Sequence, residues 1–314
     1  MARHCREKYF SVPPPETVLQ SYLRKETMSF IVFADGTANL PGSLLDGIVL
    51  LPSEYTVNGE PHTYTGDIEH FDMKSYYDGL RNGVKVQTSL LNTGLFLTHF
   101  TPVLQEGKDV IYIAMSSGIS GTYNAARLAA EQLQEEFPER FVHIVDSQGC
   151  GFGNGMLAIK AAQLSKENTD VREAARILDE MVPHCCQYFT VDDLNFLKKT
   201  GRVSGATAAI GTTFHIKPIL YGDKTGHIVS CAVAQGRRRS IKMLAGKYRE
   251  KRLDLEEPDV YISNGDCIED AEMLKDLILE ETPKAKVTIC PHEPFSGSHV
   301  GPGMLGLFFQ GKER

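Results

Sequence analysis

A short loop rich in hydroxyl groups and glycines is the stretch of this chain best suited to binding chemistry. It carries the sequence SSGISGT at residues 116–122, after an apolar run at 110–115 and before a helical pattern. The first N–H groups of a helix lack internal partners, and the helix dipole places partial positive charge there. The loop contains no Lys or Arg, so it favours a singly charged group, such as a carboxylate, over a polyphosphate.

Three further residues could act together with this loop. Thr88 and Ser89 follow another short apolar run, and their hydroxyls meet those of Ser116 and Ser117 if both loops lie at the same sheet edge. The alternative is that these hydroxyls cap helices, each contributing about 1 kcal/mol. His299 precedes a Gly-Pro-Gly turn and titrates near neutral pH, although a lone His is commonly structural.

Arg202 follows Gly201 at the end of a short predicted helix. It either complements the helix dipole or contacts an anion. The three consecutive arginines at 237–239 form either a solvated face or a docking site for an acidic partner.

Two enzymatic alternatives compete with simple binding. Ser117 or Ser120 could act as a nucleophile with His299 as its base, which describes a small-molecule hydrolase or transferase. The glycines at 149–155 follow a predicted strand as in a dinucleotide loop, but Met156 stands where the third spaced glycine belongs. The sequence contains no P-loop, no HExxH and no complete GxSxG motif.

Composition narrows the class of protein. The chain has 314 residues, 42% of them hydrophobic, and a formal net charge of -7, which argues against nucleic acid as the main partner. Seven cysteines without a CxxC pair support neither a disulfide framework nor a zinc site. No apolar run reaches the ~18 residues of a membrane span, and no signal peptide is evident. We therefore expect a cytoplasmic protein without integral membrane association, metal or cofactor.

The order of predicted elements indicates an α/β fold with two domains. Apolar strands at 30–34, 48–51, 110–115 and 141–145 alternate with helices, which is typical of a doubly wound, mostly parallel sheet. Later, hairpins mix with helices, as around the turn at 222–226. We predict an extension at residues 1–28, an α/β domain at 29–185 that carries the carboxylate site, and an α+β domain at 186–314.

A series of motifs in this chain is similar to those of the DegV family, the bacterial fatty-acid-binding proteins that serve fatty acid kinase. The residues at 116–123 resemble the family's SSxLSGTY, and those at 35–41 resemble its DSTADLP. The other matches, in chain order, are Thr88-Ser89 with the start of TSQP, Asp146-Ser147 with DS, 193–204 with DLxYL…GGRIS, 216–220 with IKPIL, and 299–303 with HxGPG. The resemblance extends over about residues 29–311 and departs from the family at Gly36, at Leu90-Leu91 and at Gln235.

This resemblance implies a role in binding a lipid rather than in catalysis. It implies two α/β domains that enclose a long-chain fatty acid, with Thr88, Ser117 and the Gly118 amide holding the carboxylate. His299 and Arg202 would lie near the head group and matter for phosphoryl transfer. A separate ATP-dependent fatty acid kinase would perform that transfer and produce an acyl phosphate.

Overall fold

A computed structural model of the chain describes residue 20 and residues 30–203, 205–209 and 215–314. The predicted extension at 1–28, apart from Gln20, and Ser204 of the motif series lie outside the described residues. The described part contains a four-stranded, a three-stranded and a six-stranded sheet. This mixed α/β architecture confirms the predicted fold class.

The first sheet is parallel throughout and has the order β2-β1-β6-β7. Its strands are β1 (Phe30–Asp35), β2 (Ile48–Leu51), β6 (Asp109–Ala114) and β7 (Val142–Asp146). All six residues of β1 are buried, as expected for a parallel strand with both faces covered. The carboxyl ends of β1, β6 and β7 therefore place Asp35, the 116–122 loop and Asp146 at one edge of the sheet.

A small antiparallel sheet stands beside this edge. It has the order β4-β3-β5 and consists of β3 (Ser53–Val57), β4 (Glu60–Tyr64) and β5 (Val86–Thr88). The predicted turn at Asn58-Gly59 joins β3 to β4, with both residues at positive φ. Helix α1 (Met73–Arg81) precedes β5, and α2 (Thr93–Gln105) follows it. Thr88 ends β5.

The six-stranded sheet has the order β10-β9-β8-β13-β11-β12 and is antiparallel except for the pair β11–β12. Its strands are β8 (Cys185–Thr190), β9 (Ile216–Gly222), β10 (Ile228–Gln235), β11 (Asp259–Asn264), β12 (Lys286–Pro291) and β13 (Leu305–Gln310). Strand β13 is the last along the chain and lies between β8 and β11. The sequence patterns did not predict it.

Helices cover the sheets and also join them. They are α3 (Thr122–Glu136), α4 (Phe152–Lys166), α5 (Val171–Met181), α6 (Asn195–Lys199), α7 (Gly205–Ala208), α8 (Arg237–Lys251), α9 (Ile268–Glu281) and α10 (Pro294–Val300). Phe152 of α4 packs its ring 4.6 Å from that of Tyr261 and 5.9 Å from that of Phe308, measured between centroids. These contacts belong to one hydrophobic cluster that also contains β1 and β6. Helix α4 therefore ties the two large sheets into one core.

Candidate functional site

A cavity of about 220 Å³ lies at the junction of the three sheets. Its wall comes from the ends of β5 and β6, the loop after β7, strand β8, the β9–β10 hairpin, helix α10 and strand β13. Leu90 contributes to the wall and is 52% exposed, so the mouth of the cavity opens beside it. Its apolar part includes Ile119, Phe189, Leu197, Ile228, Phe295, Val300, Met304 and Phe308.

Thr88 and His299 meet in this wall, although 211 residues separate them in the chain. The Thr88 Oγ1 atom lies 2.9 Å from His299 Nε2. Strand β5 brings the threonine, and helix α10 brings the histidine. Burial, with a further contribution from the Arg202 guanidinium, lowers the pKa of His299 to about 4. At neutral pH the imidazole is therefore uncharged, and a single hydrogen bond joins it to the threonine hydroxyl.

The uncharged His299 leaves one ring nitrogen without a partner. Its Nδ1 atom is buried and has no hydrogen bond to any described residue. Arg202 also lines the cavity and supplies the cationic side chain of the wall. Its guanidinium donates to the carbonyl oxygen of Thr200. The structure therefore gathers three of the predicted site residues, namely Thr88, Arg202 and His299.

Ser117 and Gly118, the other two predicted site residues, are not in the cavity wall. The Ser117 hydroxyl is exposed and donates to Asp146 Oδ2 at 2.5 Å. The Gly118 amide donates to Ser116 Oγ at 3.1 Å. Ser116 faces the cavity instead and donates to the carbonyl oxygen of Gly226 at 2.8 Å. Both serines lie in the loop after β6, which ends at Ala114, and their hydrogen bonds direct Ser116 toward the β9–β10 hairpin and Ser117 toward the end of β7.

Gly118 has a structural reason to be a glycine. A Cβ atom there would lie 2.5 Å from the Gly226 carbonyl carbon and 2.7 Å from the His227 amide nitrogen. The loop after β6 and the β9–β10 hairpin therefore touch backbone to backbone. This contact closes one side of the cavity.

The hydrolase alternative requires a hydrogen bond between His299 and the hydroxyl of Ser117 or Ser120, and the structure contains neither bond among these described residues. The Ser120 hydroxyl donates to Thr122 Oγ1 at 3.0 Å and accepts from the Thr122 amide at 3.2 Å, which makes it part of the start of α3. Ser117 is bonded to Asp146. The hydroxyl beside His299 belongs to Thr88, so neither predicted serine nucleophile is paired with the predicted base.

The glycines at 149–155 serve packing. A Cβ atom at Gly153 would lie 2.4 Å from Gln187 Oε1, and one at Gly155 would lie 2.6 Å from the Ala38 carbonyl oxygen. The space that a dinucleotide would need over this loop is thus filled by the protein's own chain. The described residues also contain no group of three or more His, Cys, Asp or Glu side chains placed to bind a metal ion.

A buried polar cluster at the start of α10 was missed by the sequence patterns. Glu293 caps α10 by accepting from the Ser296 amide at 2.9 Å, and it also accepts the Ser296 hydroxyl. His292 Nε2 lies 3.0 Å from Ser296 Oγ. Burial lowers the pKa of His292 to about 4 and raises that of Glu293 to about 7. The one usable signal was the Glu-Pro pair, since an acceptor followed by proline is typical of a helix start.

Two side chains bridge the loop after β7 to the rest of the wall. Gln187 donates to the Gln148 carbonyl oxygen at 2.7 Å and accepts from the Cys150 amide at 3.2 Å. Arg314 donates to the carbonyl oxygens of Gln148 at 2.8 Å and Ser147 at 2.7 Å. It also donates to the Val182 carbonyl oxygen. Arg314 and Gln187 therefore both hold the loop after β7 in place.

Among the described residues, no helix combines the length and apolarity that crossing a bilayer requires.

Comparison with known proteins gives one consistent family. A family model described as "Uncharacterised protein, DegV family" matches residues 29–312. A DegV domain-containing protein of Clostridium perfringens is 35% identical over 283 residues, covering 90% of this chain and 97% of that protein. Among solved structures, a fatty-acid-binding DegV family protein from Thermus thermophilus is 25% identical, with a TM-score of 0.78 over 90% of this chain and all of its own. DegV from Bacillus subtilis, also a fatty acid binding protein, is 27% identical, with a TM-score of 0.76 over 91% of this chain and 100% of its own.

Proposed function

This chain belongs to the DegV family, and on that premise we propose that it binds a long-chain fatty acid in the cavity and presents the carboxylate to a separate kinase. The observation that carries the proposal is the Thr88–His299 pair, which sets a hydroxyl and a neutral imidazole beside the apolar part of the wall. The fatty acids named for the relatives from Thermus thermophilus and Bacillus subtilis support the same class of ligand.

The tail supplies most of the affinity in this proposal. Each buried methylene contributes about 0.8 kcal/mol, so roughly 15 methylenes contribute about 12 kcal/mol before the cost of association. A buried carboxylate without partners is costly, and the head-group residues remove that cost. The Thr88 hydroxyl donates to the carboxylate while His299 Nε2–H donates to Thr88, and Arg202 supplies positive charge.

This arrangement favours presentation over turnover by the chain itself. His299 is neutral at pH 7 because burial lowers its pKa to about 4, so it orients the Thr88 hydroxyl through a hydrogen bond and carries no charge of its own. The mouth beside Leu90 leaves the head-group end within reach of a partner protein. We therefore assign phosphoryl transfer to a kinase and the binding and orientation of the acyl group to this chain.

Native mass spectrometry of the recombinant protein tests the binding half of the proposal. We expect about one fatty acid per chain and rebinding of oleate after delipidation. A protein that remains empty and does not bind oleate contradicts the proposal.

A coupled assay tests the presentation half. With ATP and a bacterial fatty acid kinase, hydroxylamine should trap an acyl phosphate made from the bound oleate. His299→Ala is expected to retain most oleate binding and to reduce trapped product strongly. Equal loss of binding and product would contradict the separate roles of Thr88 and His299.

A further inference from the structure

The cavity wall contains more polar side chains than a carboxylate needs. Beside Thr88, His299 and Arg202, it includes Gln148, Cys150, Gln187, His292 and Ser296. Three of these are almost completely buried: His292 is 2% exposed, Ser296 is 7% exposed and Gln187 is 8% exposed. We refer to these five residues, from Gln148 to Ser296, as the polar wall.

The His292 end of the polar wall is a hydrogen-bonded chain. Ser296 gives its hydroxyl proton to Glu293, so its oxygen accepts from His292 Nε2 across 3.0 Å. The other ring nitrogen of His292 lies 3.2 Å from the Ser263 hydroxyl oxygen. The Ser296 oxygen keeps one acceptor position.

The glutamine end of the polar wall has hydrogen-bonding capacity that the protein does not use. One N–H of the Gln187 amide donates to the Gln148 carbonyl oxygen, which leaves its second N–H without an assigned acceptor. The side-chain amide of Gln148 makes no hydrogen bond to another described residue, and it too lines the cavity. Donors and an acceptor therefore face the cavity on this side.

An unbroken hydrocarbon chain is a poor match for such a wall. It would exclude water from the amide groups without replacing the hydrogen bonds, at a cost of about 1–3 kcal/mol for each group left unpaired. An oxygen atom on the chain would restore those bonds. The polar wall therefore distinguishes acyl chains by whether they carry an additional oxygen.

Helix α10 places the polar wall next to the head-group residues. Ser296 and His299 are three residues apart on this helix, so they are neighbours on one face, with Cβ atoms about 5–6 Å apart. Gln148 belongs to the same part of the wall, because Gln187 bonds both the Gln148 carbonyl oxygen and the Cys150 amide, and the Cys150 thiol lies beside Ser296. The extra oxygen must then sit close to the carboxyl end of the ligand.

We propose that the preferred ligand is an acyl chain that carries a hydroxyl or oxo oxygen near its carboxyl group. The inference rests on the proposed fatty-acid function and specifies its ligand further. It assigns Gln148 and Ser296 as the residues that determine this preference, with Gln187 and His292 holding them in position.

A three-ligand comparison tests the preference. Dissociation constants of the delipidated protein are measured for palmitate, 3-hydroxypalmitate and 16-hydroxypalmitate by displacement of a fluorescent fatty acid. We expect 3-hydroxypalmitate to bind more tightly than palmitate and about tenfold more tightly than 16-hydroxypalmitate, one hydrogen bond being worth about this factor. If 3-hydroxypalmitate binds no more tightly than palmitate, the preference is overturned while the fatty-acid function stands. If none of the three binds, both are overturned.

Variants of the wall test the assigned residues. Gln148→Leu and Ser296→Ala should each shift the ratio of the two dissociation constants about tenfold toward palmitate. Ile119→Val removes one methylene from the apolar wall and should leave the ratio within about twofold, since both ligands lose the same contact. Thermal unfolding checks that each variant is folded. An unchanged ratio in folded Gln148→Leu and Ser296→Ala overturns the assignment.

Discussion

At the scale of single residues, the site depends on hydroxyl groups whose neighbours decide what they can do. Thr88 is the last residue of β5, and Ser117 lies in the loop after β6. Both carry hydroxyls, but their surroundings differ. Thr88 lies in the cavity beside a neutral imidazole, whereas the Ser117 hydroxyl is exposed and bonded to the Asp146 carboxylate. A hydroxyl already held by a carboxylate has its proton engaged, so it is a weak donor to a second carboxylate.

Thr88→Val should weaken fatty acid binding. Valine keeps the shape of threonine and removes the donor, and a hydrogen bond to a charged group contributes about 1.5–3 kcal/mol, or roughly 10- to 100-fold in the dissociation constant. The constant for oleate is measured by displacement. The control is Thr98→Val, because Thr98 lies exposed on α2 and bonds only its own helix, at the Gly94 carbonyl oxygen. A dissociation constant for Thr88→Val equal to that of the control would show that Thr88 does not bind the carboxylate.

Ser117→Ala should change the dissociation constant for oleate by less than about twofold, since an exposed hydroxyl contributes little to a buried ligand. The same displacement titration measures it. A loss of oleate affinity comparable to that of Thr88→Val would show that Ser117 binds the carboxylate, as the family resemblance implies.

The predicted site residues came from the family motifs, and the fold brings only some of them together in the cavity wall. The motifs identified Thr88, Arg202 and His299, which the fold brings into one wall. Which of Ser116 and Ser117 faces the cavity depends on the course of the loop after β6, and no pattern in the sequence indicates that course. His292 and Ser296 were missed because isolated polar residues in an apolar segment have no period to reveal them.

At the scale of elements, α10 and the loop after β6 position the site. Predicted helices and strands agreed with the structure where the apolar pattern was clear, as in β1, β6 and α3. Helix α10 was missed because it has only seven residues and three of them, Ser296, Gly297 and Ser298, are weak helix formers. Strand β13 was missed because it follows a glycine turn and its neighbours in the sheet come from distant parts of the chain.

Gly118→Ala should destabilise the protein by about 1–3 kcal/mol, because the added methyl group overlaps the backbone of the β9–β10 hairpin and the loop must shift. It should also weaken oleate binding, since the same contact closes the cavity. Urea unfolding and the displacement titration measure the two effects. The matched control is Gly246→Ala in α8, where the methyl group meets nothing within 4 Å. There we expect a stabilisation of about 0.5–1 kcal/mol. Equal stability of the two variants would contradict this account of the contact.

Glu293 should make the stability of the protein depend on pH. Burial raises its pKa from 4.5 to about 7 in the folded state, so the folded chain holds a proton that the unfolded chain has released. The stabilisation that this proton gives to the folded state is fully present below pH 4.5 and is lost as the pH rises through 7. His292 and His299 act in the opposite direction below about pH 6.5, because their folded pKa values are lowered.

Glu293→Gln isolates the carboxyl contribution. The free energy of unfolding of Glu293→Gln minus that of the unmodified chain should rise as the pH increases from 5 to 8, and most of the rise should occur below pH 7. Urea titrations at pH 5, 6, 7 and 8 measure the difference, in which the histidine contributions cancel. A difference that is constant over this range contradicts the buried, protonated carboxyl.

At the scale of the whole molecule, contacts between the sheets are what make the cavity. Helix α4 shares its core with both large sheets, and Gln187 and Arg314 hold the loop after β7 against the six-stranded sheet. The α/β fold class could be predicted, because alternation of strands and helices leaves few other topologies. The joining contacts could not, since they depend on individual side chains from elements far apart in sequence.

Arg314→Ala should lower the free energy of unfolding by about 1–3 kcal/mol, because it leaves partly buried carbonyl oxygens without donors. Urea unfolding measures this loss. The control is Lys224→Ala, which breaks only the ion pair with Glu313, in which both side chains are mostly exposed. Such a pair contributes between about 0 and 1 kcal/mol. Similar losses for the two variants would show that Arg314 does not brace the loop.

The central position of β13 has a consequence for synthesis of the protein. Until residues 305–310 have left the ribosome, β8 and β11 each lack the neighbour that separates them in the finished sheet. The nascent chain therefore carries an unpaired edge on β8 from residue 190 onward and a second on β11 from residue 264 onward, a state prone to edge-to-edge association. Since His299 lies just ahead of β13, the proposed lipid site is completed only after this segment has been made, and we expect no loading with fatty acid before then.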